Sequence, residues 1–347
     1  MAPTTRSAGL LAAGALLLTS GCAALSDDSG SSGSGSGKVQ VAAAFYPLEF
    51  VAERVGGDLT EVSGLTKPGV EPHDLELSIN QTAALQSADV ILTEHGFQPA
   101  VDDAIEQDVK GAVVDVEKTV ELRPAEESAD AHAEEGADAH AEEGEDAHAE
   151  EGEDAHAEEG EDAHAEEAED AHAHGELDPH FWHDPALMAD YAEAVSAALA
   201  KADPDNAETY AANAKDLTAD LTAVDEEFKT GLAQCKMKEV VVSHDAFGYL
   251  DKYGLDFEPI AGLTPDAEPN PAQLAEIGEH AKEHGVTTIF SERLVSTALA
   301  DTLADDLGLK SAVLDPIEGL SADTEGEDYL SLMRQNLDAL KAANGCQ

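Results

Sequence analysis

From Val39 onward, short apolar runs alternate with amphipathic stretches, and no other feature limits the fold of this chain so closely. Val39-Gln40-Val41-Ala42-Ala43-Ala44-Phe45 reads as a buried strand and Leu48 to Val55 as the helix that follows it. Ala88-Asp89-Val90-Ile91-Leu92 and Ala112-Val113-Val114 read as further strands. The second half repeats the theme in Val240-Val241-Val242, Phe257-Glu258-Pro259-Ile260, Thr287-Thr288-Ile289-Phe290 and Ala312-Val313-Leu314, with helical stretches such as Pro271 to His284 between them. Alternation of this kind predicts βαβ units and mainly parallel sheets. The expected fold class is therefore α/β, with two (β/α) lobes.

Between the lobes, Asp203-Pro204 supplies an N-cap and first-turn pair. Leu217, Leu221, Val224 and Phe228 then recur at helical spacing. A helix from Pro204 to about Leu232 would be about 40 Å long, a rod that limits how far two lobes can swing. The expected organisation is a signal segment at 1–21, a tether at 22–37, a first lobe at 38–185, connecting helices at 186–235 and a second lobe at 236–347.

One stretch cannot belong to either core. Residues 129–175 repeat the unit Glu-Asp-Ala-His-Ala-Glu-Glu-Gly with period eight and hold no aliphatic side chain larger than Ala and no aromatic. Such a tract buries nothing and reads as a disordered loop inserted in the first lobe. It contributes much of the formal charge of −56, a balance that repels nucleic acid and excludes it as a partner. The tract carries His132, His140, His148, His156, His164, His172 and His174. On a helix, residues eight apart are separated by about 12 Å along the axis, too far to share one zinc with bonds near 2 Å. The bland reading is a solvated spacer; the functional one is a set of weak mixed His/carboxylate sites, with His172 and His174 alone close enough to cooperate.

The first residues have the form of an export signal, with Arg6 ahead of the apolar Leu10 to Leu18, too short for a permanent span. The segment ends in Leu18-Thr19-Ser20-Gly21-Cys22, which resembles a bacterial lipobox, although Thr19 stands where that pattern prefers Leu. Lipidation of Cys22 would hold the chain to a membrane, and the Ser/Gly-rich stretch after it would act as a flexible tether. Outside the cell the remaining cysteines, Cys235 and Cys346, are expected to form a disulfide rather than two free thiols or metal ligands.

Histidines outside the tract fall at informative places. His73 lies in the Pro/Gly-punctuated loop Pro68 to Leu75, after an apparent strand around Val62 to Leu65. His180 lies in Asp178-Pro179-His180-Phe181-Trp182 just before a helix start, His244 directly follows a strand, and Asp315 follows the strand ending at Leu314. Three of these four positions are carboxyl ends of strands, where open α/β sheets collect ligands. A lone His is more often structural, but three imidazoles and a carboxylate make a near-complete tetrahedral zinc set.

Phe45-Tyr46-Pro47-Leu48, Pro68 to Glu76, Gly96-Phe97-Gln98-Pro99, Asp178 to Pro185 and Ser243 to Tyr249 resemble segments of the zinc-specific solute-binding proteins of bacterial ABC importers (the cluster A-I, zinc/manganese type), in the same order and across essentially the whole mature chain. The acidic His-rich insert is also typical of them. The resemblance implies two lobes, a long joining helix and one buried Zn²⁺ between the lobes. It implies ligation by His73, His180 and His244, with Asp315 as the fourth ligand and Glu71 or Glu292 as substitutes. It further implies a monomer at the outer face of the cell membrane (the periplasmic side where an outer membrane exists), delivering zinc to a membrane-embedded ABC permease. His183 stands where the family usually has an apolar residue, and reads as a group behind the ligands or facing solvent, with ligation as the alternative.

Manganese-type relatives carry a carboxylate where this chain has His244, and imidazole suits zinc better. A manganese- or iron-binding protein of the same family, a surface adhesin and a metal-storage lipoprotein are the alternatives. A zinc enzyme would need an open coordination position, which a fourth protein ligand would close.

Overall fold

The computed structural model describes residues 37–125 and 177–347, apart from 266 and 268. The signal segment, Cys22, the tether up to residue 36 and the repeat histidines His132 to His174 lie outside the described residues.

Among the described residues, eight strands form two four-stranded parallel sheets. In the first, β1 (Val39–Ala43), β2 (Thr60–Gly64), β3 (Val90–Thr93) and β4 (Ala112–Asp115) lie in the order β2-β1-β3-β4. In the second, β5 (Glu239–Val242), β6 (Asp256–Pro259), β7 (Thr288–Ser291) and β8 (Lys310–Val313) lie in the order β6-β5-β7-β8. The two lobes thus repeat one topology. In each, the central pair β1/β3 or β5/β7 ends where ligands collect in an open α/β sheet.

Helices α1 (Tyr46–Gly56), α2 (Ile79–Ser87) and α3 (Pro99–Asp108) serve the first sheet, and α6 (Pro271–Glu283) and α7 (Ala298–Leu307) the second. Successive β5 side chains point to opposite faces. Val240 and Val242 accordingly join the main core, while Val241 joins a smaller one with Ile277, Ala281, Leu303 and Ala304 from α6 and α7.

Helices α4 (Pro185–Ala202) and α5 (Ala207–Leu232) pack against each other between the lobes. On α5, Tyr210, Ala214, Leu217, Leu221, Val224, Phe228 and Leu232 form one buried stripe, the apolar face that turns a long helix into a packed rod. The α-helix begins at Ala207, because Pro204–Asn206 form a 3₁₀ turn first. Its 26 residues span about 39 Å at 1.5 Å each. Near its start, Asn213 donates to the carbonyl of Val55 (2.9 Å), and at its middle Asp220 pairs with Arg54 (2.6 Å), both toward α1. Near its end, Glu227 accepts two bonds from Arg334 of α8 (Tyr329–Asn344), and Asp225 accepts from Tyr253 (2.7 Å). The rod is therefore fixed to the first lobe at one end and to the second at the other. Cys235 and Cys346 are joined by a disulfide that ties the chain end to the residue just beyond α5.

Candidate metal centre

His73 is delivered by the loop after β2, His180 by the segment entering α4, and His244 by the second residue after β5. Their rings converge. His73 Nε2, His180 Nε2 and His244 Nε2 lie 3.4, 3.5 and 3.3 Å from a single oxygen, Oε1 of Glu318. One donor atom from each of the four residues lies within 4.8 Å of every other. Zinc bonds of 2.0–2.1 Å to nitrogen give tetrahedral edges of about 3.3–3.4 Å, so the spacing around Glu318 fits one ion. All three Nε2 atoms and Glu318 Oε1 are buried with no hydrogen-bond partner. Buried polar atoms are nearly always satisfied, and four orphaned ones facing one point are what a cation would complete.

The other ring nitrogens are held from behind. His180 Nδ1 contacts Asp178 Oδ1 at 2.8 Å, and His244 Nδ1 contacts Glu292 Oε1 at 2.5 Å. A proton on each Nδ1, donated to these carboxylates, leaves Nε2 bare for a metal. Asp178 is itself fixed by the backbone N–H of His180 (3.0 Å) and by the Arg123 guanidinium at 3.8 Å. Ser243 donates its hydroxyl to Glu292. His73 rests against Phe97, with ring centroids 4.5 Å apart.

Electrostatics follow from that packing. Burial works to lower the pKa of His180, but the Asp178 hydrogen bond and Glu318 outweigh it and raise the net value. At His244 burial is likewise overridden, here by Glu292 and Glu318, and the ring is held well above the ordinary value. Burial would raise Glu318, yet the three histidines hold it well below the usual carboxylate range.

The carboxylate that joins the three histidines is Glu318 and not Asp315. Asp315 is not in the cluster: its Oδ2 accepts from Arg293 Nε (2.9 Å) and its Oδ1 from the backbone N–H of Ile317 (2.9 Å). Asn336 clamps its backbone from both sides, accepting from its N–H (2.9 Å) and donating to its carbonyl (2.6 Å). Asp315 thus shapes the turn Asp315-Pro316-Ile317 that carries Glu318 into the cleft. Ile317 adopts φ 58° within that turn, a conformation that costs a non-glycine residue about 1–3 kcal/mol. Trp182 Nε1 donates to the Pro316 carbonyl (2.7 Å) and helps hold it. Glu71 turns back to accept from the backbone N–H of His73 (3.0 Å), and Glu292 stands behind His244, so neither belongs to the four-residue cluster.

His183 is fully buried rather than solvent-facing, packs against Phe247 (5.0 Å between centroids), and lies outside the cluster. Burial, reinforced by the neighbouring His180, drives its pKa down to about 3, so it is neutral. Glu94 occupies the first position after β3, as Glu292 does after β7. Its carboxyl group is buried without a hydrogen-bond partner, and burial followed by the charges of Asp178 and Asp115 raises its pKa.

Two repeated parallel-sheet lobes, a rigid joining helix and a cation-sized set of donors between them define a solute-binding protein of the metal-capturing kind. The family model for ZnuA, the periplasmic component A of the zinc-uptake complex, matches residues 41–343, and the chain belongs to that family. It is 35% identical over 337 residues to the high-affinity zinc uptake system protein ZnuA of Bacillus subtilis, covering 96% of each chain. It is 34% identical over 333 residues to the zinc-binding lipoprotein AdcA of Streptococcus pneumoniae, covering 94% of this chain but only 60% of that longer protein. Among solved structures, the laminin-binding protein Lmb of Streptococcus agalactiae, described as bifunctional with adhesin and metal-transporting activity, matches with a TM-score of 0.69 and 26% identity, over 88% of this chain and 99% of that one.

Proposed function

We propose that this chain captures Zn²⁺ outside the cytoplasm, holds it through His73, His180, His244 and Glu318, and passes it as cargo to an ABC permease in the adjoining membrane, to which a lipid on Cys22 tethers it. The observation that carries the reading is the convergence of three unpartnered imidazole nitrogens on one carboxylate oxygen. The relatives named for zinc uptake and zinc binding support the choice of ion, and a nitrogen-rich set favours zinc over manganese. Four protein donors make a closed shell, the arrangement of a holding site rather than of one that activates water.

The test is competition with a chromophoric chelator, using the mature chain and a variant with His73, His180 and His244 all replaced by Ala. The wild type should retain one tightly held equivalent and the triple variant none, while weak binding by the repeat tract persists in both. Retention of one tight equivalent by the triple variant would refute the assignment. Dependence of zinc-limited growth on the gene tests delivery. A second reading, attachment to laminin, rests on the likeness to Lmb; it is discarded if the purified chain fails to bind immobilised laminin.

A further inference from the structure

A second group of metal-binding side chains lies at the opposite end of β5 from His244. Glu239 opens that strand, and His280 and His284 occupy the last turn and the C-cap of α6. His280 Nε2 is 3.2 Å from Glu239 Oε2, and His284 Nδ1 is 3.4 Å from Glu239 Oε1. One donor atom from each of the three lies within 4.8 Å of the others. The rings are stacked, with centroids 4.3 Å apart and planes 23° from parallel.

Spacing and surroundings both prepare this arrangement for a cation. Residues four apart on a helix share a face, and two histidines at that spacing beside a carboxylate form a recurrent zinc-binding pattern. The turn is stiffly built: His284 N–H donates to the His280 carbonyl (3.0 Å), Val286 N–H to the Ala281 carbonyl (2.9 Å), and Gly285 takes the left-handed φ of 71° that ends the helix. Glu239 is anchored in turn, since Asn344 at the end of α8 donates to its carbonyl (3.3 Å). A second carboxylate is close by. In the β5–β6 register Val241 pairs with Glu258, which places Glu258 on the same sheet face as Glu239. Burial, followed by repulsion from Glu239, raises the Glu258 pKa, while His280 and His284 act to lower it.

We infer that Glu239, His280 and His284, with Glu258 beside them, form a second Zn²⁺ site on the second lobe, separate from the cleft and weaker than it. Glu239 opens β5 and His244 lies two residues beyond its far end; the strand alone carries the chain roughly 10 Å at about 3.3 Å per residue, so the two sites cannot share an ion. The cleft ligands are fully or nearly buried, whereas His280 and His284 are 32% and 42% exposed. The outer site therefore leaves room for water on the metal and exchanges it readily. An ion there would pin the end of α6 to β5, stiffening the lobe once zinc exceeds what the cleft consumes.

Carbethoxylation of the full mature chain by diethyl pyrocarbonate, followed residue by residue with peptide mass spectrometry, tests this with Zn²⁺ alone as the probe. One equivalent of Zn²⁺ should leave His280 and His284 reactive. Excess Zn²⁺ should slow their modification at least tenfold, and Mg²⁺, which prefers oxygen donors, should not. Glu239→Gln should abolish the protection, with circular dichroism confirming the fold, whereas His244→Ala should leave it intact, so failure of the cleft assignment and failure of this one are separable. Unchanged reactivity in excess Zn²⁺, equal protection by Mg²⁺, or protection that survives Glu239→Gln would each overturn the second site.

Discussion

At the scale of single residues, the centre depends on groups that never touch the ion. Asp178 fixes which nitrogen of His180 faces the cleft, and Glu292 does the same for His244. Loss of such a supporting carboxylate costs about 10–100-fold in metal affinity. Asp178→Asn should therefore weaken zinc binding by that factor without changing the stoichiometry, as read by chelator competition. Unaltered affinity would show that the ring is oriented by packing alone. Proton coupling belongs to the same scale. Each ligand imidazole must be neutral to bind metal, and His180 and His244 hold protons more tightly than an ordinary His, whose pKa is about 6.5. Zinc binding should then release protons, and affinity should fall as the pH drops. Calorimetry in buffers of different ionisation enthalpy should show net proton release; a pH-independent affinity between 5 and 8 would argue against histidine ligation. The three histidines were legible in the sequence because each stands in a loop flanking a recognisable strand or helix. Glu318 was not, because its position depends on a buried left-handed turn at Ile317 and on Asn336, a contact 21 residues away. Asp315 is the nearer carboxylate in sequence but is committed to building that turn.

At the scale of elements, hydrophobic pattern carried most of the information. The seven strands read from short apolar runs appear where the runs lie, since β branching and burial act together over four or five residues. β2 was the faintest, because Thr60-Glu61-Val62-Ser63-Gly64 is an edge strand with much of its length facing solvent. The joining helix was legible from one apolar stripe, while its first turn was not: Asp203 accepts hydrogen bonds from Asn206 and Tyr210 and holds Pro204–Asn206 in a tighter coil. Leu221 sits at the middle of that stripe and is wholly buried. Leu221→Ala should destabilise the zinc-free chain by about 2–5 kcal/mol through lost transfer energy and the cavity left behind. Urea denaturation measures this; a cost well below 1 kcal/mol would mean that the helix is not the packed rod between the lobes.

At the scale of the whole molecule, the chain passes repeatedly between its halves, and a metal in the proposed site would add one more bond across them. α5 and α8 both contact the two lobes, with Tyr329 donating to the Trp182 carbonyl (2.5 Å) and packing its ring at a tilt against Phe50 while the far end of α8 meets β5. His73 and His180 come from the half before α5, and His244 and Glu318 from the half after it. An ion held by all four therefore closes a cross-link that exists only when both lobes are folded and together. Binding to the native state alone adds RT ln(1 + [L]/Kd), about 2.7 kcal/mol at 100 times Kd. Zinc should raise the unfolding midpoint of the wild type and excess EDTA should reverse the rise. In His244→Ala the repeat tract keeps all seven of its histidines, yet most of the rise at one equivalent of zinc should vanish, because the variant lacks one of the four donors that would hold an ion between the lobes. A thermal scan of both chains with and without zinc decides the matter: an equal shift in the variant would place the stabilising ion elsewhere, and the interlobe cross-link would be lost as the account of this fold.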